Sequence, residues 1–288
     1  MSTVSLFDPA GPRAKQRHLL LEILTALIVI AGAYLVFRVL YDKGELSAAA
    51  WAPFAEPGLW ALLGQGLWNN IAAAAVGMVL SLITGCLLAF GLVSTQHAPM
   101  RRTCRVYTDV FSSIPLLLLL YFTSLVLPNY GLKLGDFWFL VIALTLYSGA
   151  VIGDLLRSGI LALPPGQAEA SLALGFSHVG TLRLVLLPQA LRSMSPALVS
   201  QLIILFKGTA LAFVLGGYME LLRSATVIGQ YYTRSLLQAQ FVAALGFLVV
   251  NIALGALAVA LERRQNRLAD PAPLPVTATE PDPVPAHR

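Results

Sequence analysis

Two ionisable side chains, Asp154 and Lys207, lie inside long apolar stretches of the sequence. A charged group is costly in hydrocarbon, so an acid or base within a membrane span by default marks a pathway or belongs to a buried pair. Asp154 and Lys207 could neutralise each other, or Asp154 could pair with Arg157 about one helical turn away. Contact with a solute is the third alternative, and the sequence leaves all three open.

The same two stretches carry further polar residues that could line a path: Tyr147, Ser148, Gln201 and Thr209. Polar side chains in a bundle of membrane helices commonly form hydrogen bonds between helices, which is the alternative role for each of these four.

Catalytic and metal chemistry is not indicated. The histidines and cysteines are scattered, at His18, Cys86, His97, Cys104, His178 and His287. Their spacing fits neither a metal site nor a disulfide framework, and no Ser/His/Asp grouping accompanies them. None of the lysines, at positions 15, 43, 133 and 207, ends a phosphate-binding loop of the type G-x4-G-K-[ST]. We therefore expect no catalytic residue, no metal and no cofactor in this chain.

The composition identifies an all-α integral membrane protein. Of the 288 residues, 57% are hydrophobic and 11% are charged, and the mean hydropathy is +0.76, whereas about 25% of the residues of a soluble domain are charged. A membrane-spanning helix needs about 20 mostly apolar residues. Such runs occur six times, at 19–40, 68–93, 108–128, 137–161, 195–217 and 239–261.

The basic residues predict the orientation of these spans. If six spans alternate, the clusters at 13–17, 101–105 and 263–267 fall on one side of the membrane, together with the basic residues of 157–192. Lys and Arg are enriched on the cytoplasmic side, so we expect both termini there. The net charge of +5 thus indicates topology and not nucleic-acid binding.

The sequence divides into five segments. We expect a cytoplasmic N-terminus at 1–18, an additional transmembrane helix at 19–40 and an external interfacial connection at 41–66. A transmembrane domain follows at 67–268, and a proline-rich, disordered cytoplasmic tail occupies 269–288. The adjacent Asn69 and Asn70 are predicted to cap the second span.

The longest predicted cytoplasmic connection, at 163–192, contains a short helix. Prolines at 164 and 165 suit a first helical turn, and Gly175 suits the left-handed position that ends a helix. Small residues dominate the helix, so it could lie in a groove of another protein. Glu169 adds an anionic group in the first turn. The alternative is an amphipathic loop helix that packs on its own bundle.

This loop resembles the EAA motif of the permease subunits of ABC importers. The resemblance rests on Glu169-Ala170-Ser171, Gly175 and Leu187-Pro188, with Ser171 in place of the third alanine and Val185 in place of isoleucine. Five runs are similar to the polar amino acid uptake family: 113–117 (SIPLL), 157–160 (RSGI), 165–170 (PGQAEA), 187–192 (LPQALR) and 207–212 (KGTALA). Two residues depart from the family pattern: Asp154 stands where the family usually has Glu, and Gly208 stands where it often has Asp.

The resemblance implies a fold like that of type I ABC importer permeases, with a cytoplasmic coupling helix. The implied contacts to the ATPase are Glu169, Ala170, Ser171, Leu174, Gly175 and Pro188. The implied partners are a cytoplasmic ABC ATPase dimer, a second permease subunit that is identical or a sister chain, a periplasmic solute-binding protein, and membrane lipid. The implied solute is a polar amino acid such as histidine, glutamate, glutamine or arginine, or an opine, and the implied location is the bacterial inner membrane.

The alternative function is an amino acid carrier driven by an ion gradient, in which Asp154 would be the coupling carboxylate. The long cytoplasmic loop with its small-residue helix argues against this class, since such a carrier does not need one.

Overall fold

The computed structural model describes residues 12–94 and 98–269. The predicted tail from residue 270, the N-terminal residues 1–11, His97 and His287 lie outside this part of the chain. Within it, the secondary structure is helical and contains no strand. The all-α prediction is therefore confirmed.

Helices follow one another along the described residues. They are α1 (Pro12–Asp42), α2 (Ala48–Trp51), α3 (Pro57–Val93), α4 (Ala98–Ser113), α5 (Leu116–Tyr121), α6 (Asp136–Leu161), α7 (Pro165–Ala173), α8 (His178–Gly180), α9 (Leu187–Ser193), α10 (Ser195–Gly208), α11 (Leu221–Tyr231) and α12 (Leu236–Ala269). Short 3₁₀ segments occupy Ala52–Ala55, Leu127–Tyr130 and Thr209–Leu215, and π-helical turns occupy Phe122–Val126 and Thr181–Leu186.

The predicted number of spans is confirmed. Within residues 12–94 and 98–269, five helices are long and apolar enough to cross a membrane, and the number rises to six if the bent pair of α4 and the segment 116–130 forms one span. The predicted continuous helix over 108–128 is wrong, because the two parts meet at an angle of 101°. Pro115 explains the break: proline disfavours helical geometry at the residue before it, and α4 ends at Ser113.

Two other helix boundaries differ from those expected. The first helix begins at Pro12 and α3 begins at Pro57, so residues 57–66 are helical and not part of a loop. Asn69 and Asn70 consequently lie more than three turns inside α3. They cannot cap it, and that prediction is wrong.

The chain forms two compact units, and the first consists of residues up to Leu62 together with Ala225–Val242. In this unit the connection after α1 is folded against the start of α12. Ser235 donates a hydrogen bond to the carbonyl of Ala50 (2.8 Å), and Tyr232 donates one to Glu56 (2.9 Å). By contrast, every side chain from Lys15 to Val39 is exposed. The apolar surface of α1 is therefore suited to lipid.

The second unit comprises Leu63–Ser224 and the chain from Ala243 onward, and α6 lies at its centre. The apolar window of α6 is 61% buried, more than that of any other candidate span among the described residues. Around it the core consists of large side chains from several helices: Leu120, Leu140, Leu144, Leu205 and Phe206. An apolar helix that is buried on most of its surface is expected at the centre of a bundle.

Helices α3 and α6 approach each other closely at glycines. Gly149 and Gly153 are four residues apart on α6, the small-x-x-x-small spacing that allows close helix contact. A Cβ atom on Gly153 would lie 2.9 Å from Leu88, and one on Gly85 would lie 3.2 Å from the backbone nitrogen of Gly153. These glycines therefore allow two backbones to meet.

We expect Gly85→Val to lower the melting temperature of the purified chain in detergent by about 5 °C, because overpacking a close contact costs about 1–3 kcal/mol. Gly64→Val is the matched control, since Gly64 lies on the same helix and a Cβ atom there meets nothing within 4 Å. Equal melting temperatures for the two variants would contradict the interpretation.

Candidate functional site

The loop helix α7 has well-defined ends. Pro165 occupies its first turn, where the missing N–H is no loss. At the other end, the N–H of Gly175 donates to the carbonyl of Leu172 (3.0 Å) and the N–H of Phe176 to that of Ser171 (3.2 Å). Gly175 has φ of 87°. This pair of bonds around a left-handed glycine is a Schellman motif, as Gly175 leads one to expect.

The side chains of α7 divide into an inner and an outer set. Ser171 is buried and its hydroxyl lies 3.0 Å from that of Thr181, which is also buried. Glu169 and Ala170 are exposed, and Leu174 is 79% exposed. Of the predicted contact residues, Ser171 therefore binds α7 to its own chain. Glu169, Ala170 and Leu174 form an outer face of α7.

The segment after α7 is joined to it. Gln189 on α9 donates a hydrogen bond to Gln167 on α7 over 3.4 Å, and Pro188, in the first turn of α9, is exposed. Helices α7 and α9 are therefore joined by a side-chain hydrogen bond as well as by the chain that connects them.

The ion pair of Asp154 differs from both proposed pairs. Asp154 lies 3.3 Å from Arg105 on α4, with side-chain exposures of 38% and 40% respectively. It is therefore paired neither with Lys207 nor with Arg157. The sequence suggested neighbours on the same or the next span, whereas the contact between α4 and α6 brings together residues far apart in the chain.

Lys207 is exposed although it lies within the Ser195–Leu215 span. In the part of the chain that the structure describes, it has no ion pair or side-chain hydrogen bond. Its neighbours on the same helix face are Ser200 and Ile204, which are also exposed. This strip of α10 points away from the core of its own unit.

The other polar candidates lie in different surroundings. Ser148, Gln201 and Thr209 are buried, and Tyr147 is half-buried against the core. The Nε2 of Gln201 is buried and has no hydrogen-bond partner within residues 12–94 and 98–269. The structure thus brings none of these four to the strip that contains Lys207. Across the described segments, no three His, Cys, Asp or Glu side chains are grouped as metal ligands.

A buried polar network around Asn70 was not predicted. The side chain of Asn70 is fully buried, donates to the hydroxyl of Thr209 (2.8 Å) and accepts from the backbone N–H of Leu221 (2.8 Å). Thr209 in turn donates to the carbonyl of Phe206 (2.6 Å). Thr209 therefore has the interhelical hydrogen bond that was its alternative role. The sequence feature that could have indicated this network is the pair of amide side chains, Asn69 and Asn70, within an apolar helix.

The start of α11 completes this network. Asn69 donates to the carbonyl of Met219 (2.7 Å), and the buried Glu220 accepts from the backbone N–H groups of Leu222 and Arg223. Burial raises the pKa of Glu220, while these hydrogen bonds oppose the shift. The carboxylate thus satisfies N–H groups that a helix start leaves unpaired.

We expect Asn70→Leu to destabilise the chain by about 1–3 kcal/mol, because it leaves the N–H of Leu221 buried without a partner. Asn251→Leu is the matched control: among the described residues, the amide of Asn251 donates only to Phe247 in its own helix. Thermal denaturation in detergent should show a clear loss for the first variant and a smaller one for the second. The reverse order would contradict a role for the network in stability.

The sequence of this chain is similar to those of known proteins. Residues 81–267 match the family described as the binding-protein-dependent transport system inner membrane component. The glutamate transport system permease protein GluD of Corynebacterium glutamicum is 38% identical over 78% of this chain and 83% of its own. A probable glutamine ABC transporter permease protein, GlnP of Bacillus subtilis, is 35% identical over 72% of this chain and 94% of its own.

Solved structures share the fold. A crystal structure of an amino acid ABC transporter with histidines superposes with a TM-score of 0.64 at 28% identity, covering 71% of this chain and 94% of that one. An inward-facing methionine ABC transporter, MetNI, gives a TM-score of 0.58 at 23% identity over 75% of this chain and 100% of that one, a likeness of fold alone. The chain therefore belongs to the family of inner membrane components of binding-protein-dependent transport systems, the permease subunits of ABC importers.

Proposed function

We propose that this permease subunit carries a polar amino acid or a related compound into the cell, driven by ATP that a separate partner chain hydrolyses. The proposal for the solute is supported by relatives whose names specify glutamate and glutamine. As a member of its family, the chain is a multi-pass protein of the bacterial inner membrane and not itself an enzyme. The comparisons give no support to a carrier driven by an ion gradient.

The observation that carries the proposed coupling is the outer face of α7. Leu174 is 79% exposed at the end of the helix, next to the exposed Glu169 and Ala170. A large apolar side chain beside small residues on an exposed helix face fits a contact with another protein, since the small residues allow a close approach. In this proposal α7 is the coupling helix, and its outer face binds a groove of the ATPase.

The inner contacts of α7 support its transmission of motion. The bond between Ser171 and Thr181 and the bond between Gln167 and Gln189 join α7 to the segment that leads into α10. A displacement of α7 would therefore move this segment with it, as rigid elements do in domain closure. In this scheme Ser171 holds α7 against its own chain, and Pro188 lies in the first turn of α9, the helix that receives the motion.

The strip of α10 with Ser200, Ile204 and Lys207 is proposed to face the solute path or a second permease subunit. A lysine that faces lipid at the centre of a helix costs about 2.5–3.5 kcal/mol on insertion scales. If the strip faces water or another protein instead of lipid, Lys207 does not incur that cost. The second subunit would be either an identical copy or a sister chain, as the resemblance to the permease subunits of ABC importers implies.

The distribution of basic residues supports an orientation with both termini and α7 in the cytoplasm. In that orientation the ATPase dimer meets α7 from the cytoplasm, and the periplasmic solute-binding protein meets the opposite side. Cysteine labelling from outside the cell tests this in a chain whose own cysteines, Cys86 and Cys104, are replaced by serine: Ala170→Cys should stay unlabelled in intact cells and react after permeabilisation. Labelling of intact cells would overturn the orientation.

Reconstitution tests the function itself. Proteoliposomes containing the permease, its ATPase and its binding protein should accumulate one labelled polar amino acid from a panel only when ATP is enclosed with the ATPase. Uptake driven by a proton or sodium gradient in the absence of the ATPase would contradict the proposal and favour the carrier class. A solute outside the amino acids would contradict only the proposed substrate.

A further inference from the structure

Four arginines surround one open groove in the second unit. Arg101, Arg102 and Arg105 come from α4 and Arg157 comes from α6, and the groove between them has a volume of about 630 Å³. Apolar side chains complete its walls, with Leu92 at the end of α3 and Val106 on α4.

The charges of this groove are poorly balanced. Asp154 pairs with Arg105 at 3.3 Å, and this is the only ion pair of the four arginines in the described segments. There, Arg101, Arg102 and Arg157 have neither a side-chain hydrogen bond nor an ion pair. Guanidinium groups of like charge around one groove repel each other, so an anion bound among them would relieve the repulsion.

The chemistry of the groove favours a phosphate-bearing ligand. The planar guanidinium group offers paired N–H donors that match two oxygens of a phosphate, and several arginines can share one phosphate group. The half-buried Arg157 and the exposed Arg101 and Arg102 leave donors available to such a ligand.

The surface next to the groove indicates where the phosphate comes from. Val106 and Val110 are one turn apart on α4 and are 55% and 45% exposed, so two exposed apolar side chains follow the charged groove on the same helix, with the exposed Asp109 beside them. A helix with arginines at its start and exposed valines further along is typical of segments that lie at the membrane interface. Basic pockets between membrane helices bind the headgroups of anionic lipids.

We propose that the groove formed by Arg101, Arg102, Arg105 and Arg157 binds the headgroup of an anionic phospholipid, with an acyl chain along Val106 and Val110. The bound lipid would bridge α4 and α6 beside the ion pair between Arg105 and Asp154. None of the four arginines belongs to the proposed ATPase contact on α7 or to the strip of α10 with Lys207.

Thermal denaturation of the full-length chain in mild detergent tests the site. Added phosphatidylglycerol should raise the melting temperature of the wild type, whereas phosphatidylcholine, whose headgroup is zwitterionic, should not. The combined variant Arg101→Gln, Arg102→Gln, Arg157→Gln should need a phosphatidylglycerol concentration higher by about tenfold or more for the same stabilisation. The matched control removes three exposed arginines outside the groove, with Arg17→Gln, Arg263→Gln and Arg264→Gln, and should keep the wild-type response.

Several outcomes would overturn the proposal. Equal stabilisation by phosphatidylcholine would remove the role of charge, and an equal loss of response in the control would show general attraction to a positive surface. Stabilisation by inorganic phosphate or glycerol phosphate alone, with no further effect of the lipid, would identify a free phosphate as the ligand. A variant that keeps the lipid response but no longer binds its ATPase would assign the groove to a protein partner.

A second measurement avoids dependence on the folding of the variant. Native mass spectrometry of the wild-type chain, stripped of lipid and then titrated with equal amounts of the two phospholipids, should detect preferential binding of phosphatidylglycerol. Lack of preference would overturn the proposal even if the variant cannot be purified.

Discussion

Replacing Gly175 with alanine is expected to lower ATP-driven uptake about tenfold while the permease still enters the membrane. Gly175 has φ of 87° at the end of α7, where a residue with a Cβ atom is strained by about 1–2 kcal/mol. A Cβ atom there meets nothing within 4 Å, so the whole effect comes from the backbone. A shift of this size changes the population of the correct helix end about 5- to 30-fold.

The measurement is co-purification of the ATPase together with uptake in proteoliposomes, with Gly131→Ala as the control. Gly131 has φ of 92° and a Cβ atom there also meets nothing within 4 Å. It therefore has the same backbone strain, but it follows the 3₁₀ segment Leu127–Tyr130 and is far along the chain from α7. If Gly175→Ala retains its ATPase and transports normally, α7 does not couple ATP hydrolysis to transport. If both variants lose transport equally, the effect is general destabilisation.

Local chemistry explains why the features of α7 were predictable from the sequence. Proline at 165 and glycine at 175 act through their own backbone preferences, so their positions alone predict where a helix begins and ends. The apolar spans were predictable for a similar reason, because a run of about 20 apolar residues meets the requirement of the hydrocarbon core without reference to the rest of the fold.

Features that depend on distant contacts were not predictable. The partner of Asp154 is Arg105, 49 residues away, and only the packing of α4 against α6 brings the two together. Likewise, Asn70 binds the N–H of Leu221, 151 residues away. A rule based on neighbouring residues placed Asn70 at a helix start, which is wrong, and among the partners that it offered for Asp154, Lys207 and Arg157, it did not include Arg105.

The bend between α4 and α5 could be predicted in part: the sequence indicates where it lies but not its angle. Hydropathy treats residues 108–128 as one run, because it records composition and not the direction of the chain. Pro115 was a visible signal that the helix is interrupted after Ser113, but proline alone does not determine the angle of 101°. That angle results from the packing of α4 and α5 on α6, which the sequence does not display.

Replacing Lys207 with methionine is expected to lower uptake about tenfold or to change the preferred solute, while leaving the amount of permease in the membrane unchanged. Lys207 is exposed within its span, and methionine removes the charge while keeping most of the length and the apolar stem of the side chain. Because no partner in the described segments depends on this charge, the isolated chain should be as stable as before. Removing a charge that faces lipid would even favour insertion.

Lys133→Met is the control for loss of a positive charge, since Lys133 is exposed in the loop before α6. Uptake of a panel of labelled amino acids, normalised to the amount of assembled transporter, separates the outcomes. Reduced or altered uptake with normal assembly places Lys207 on the solute path, whereas loss of the paired permease places it at the contact between subunits. Both results agree with a protein- or water-facing strip on α10. Normal uptake and assembly would show that the charge has neither role, and the strip would then have to face lipid at a cost that nothing in the chain explains.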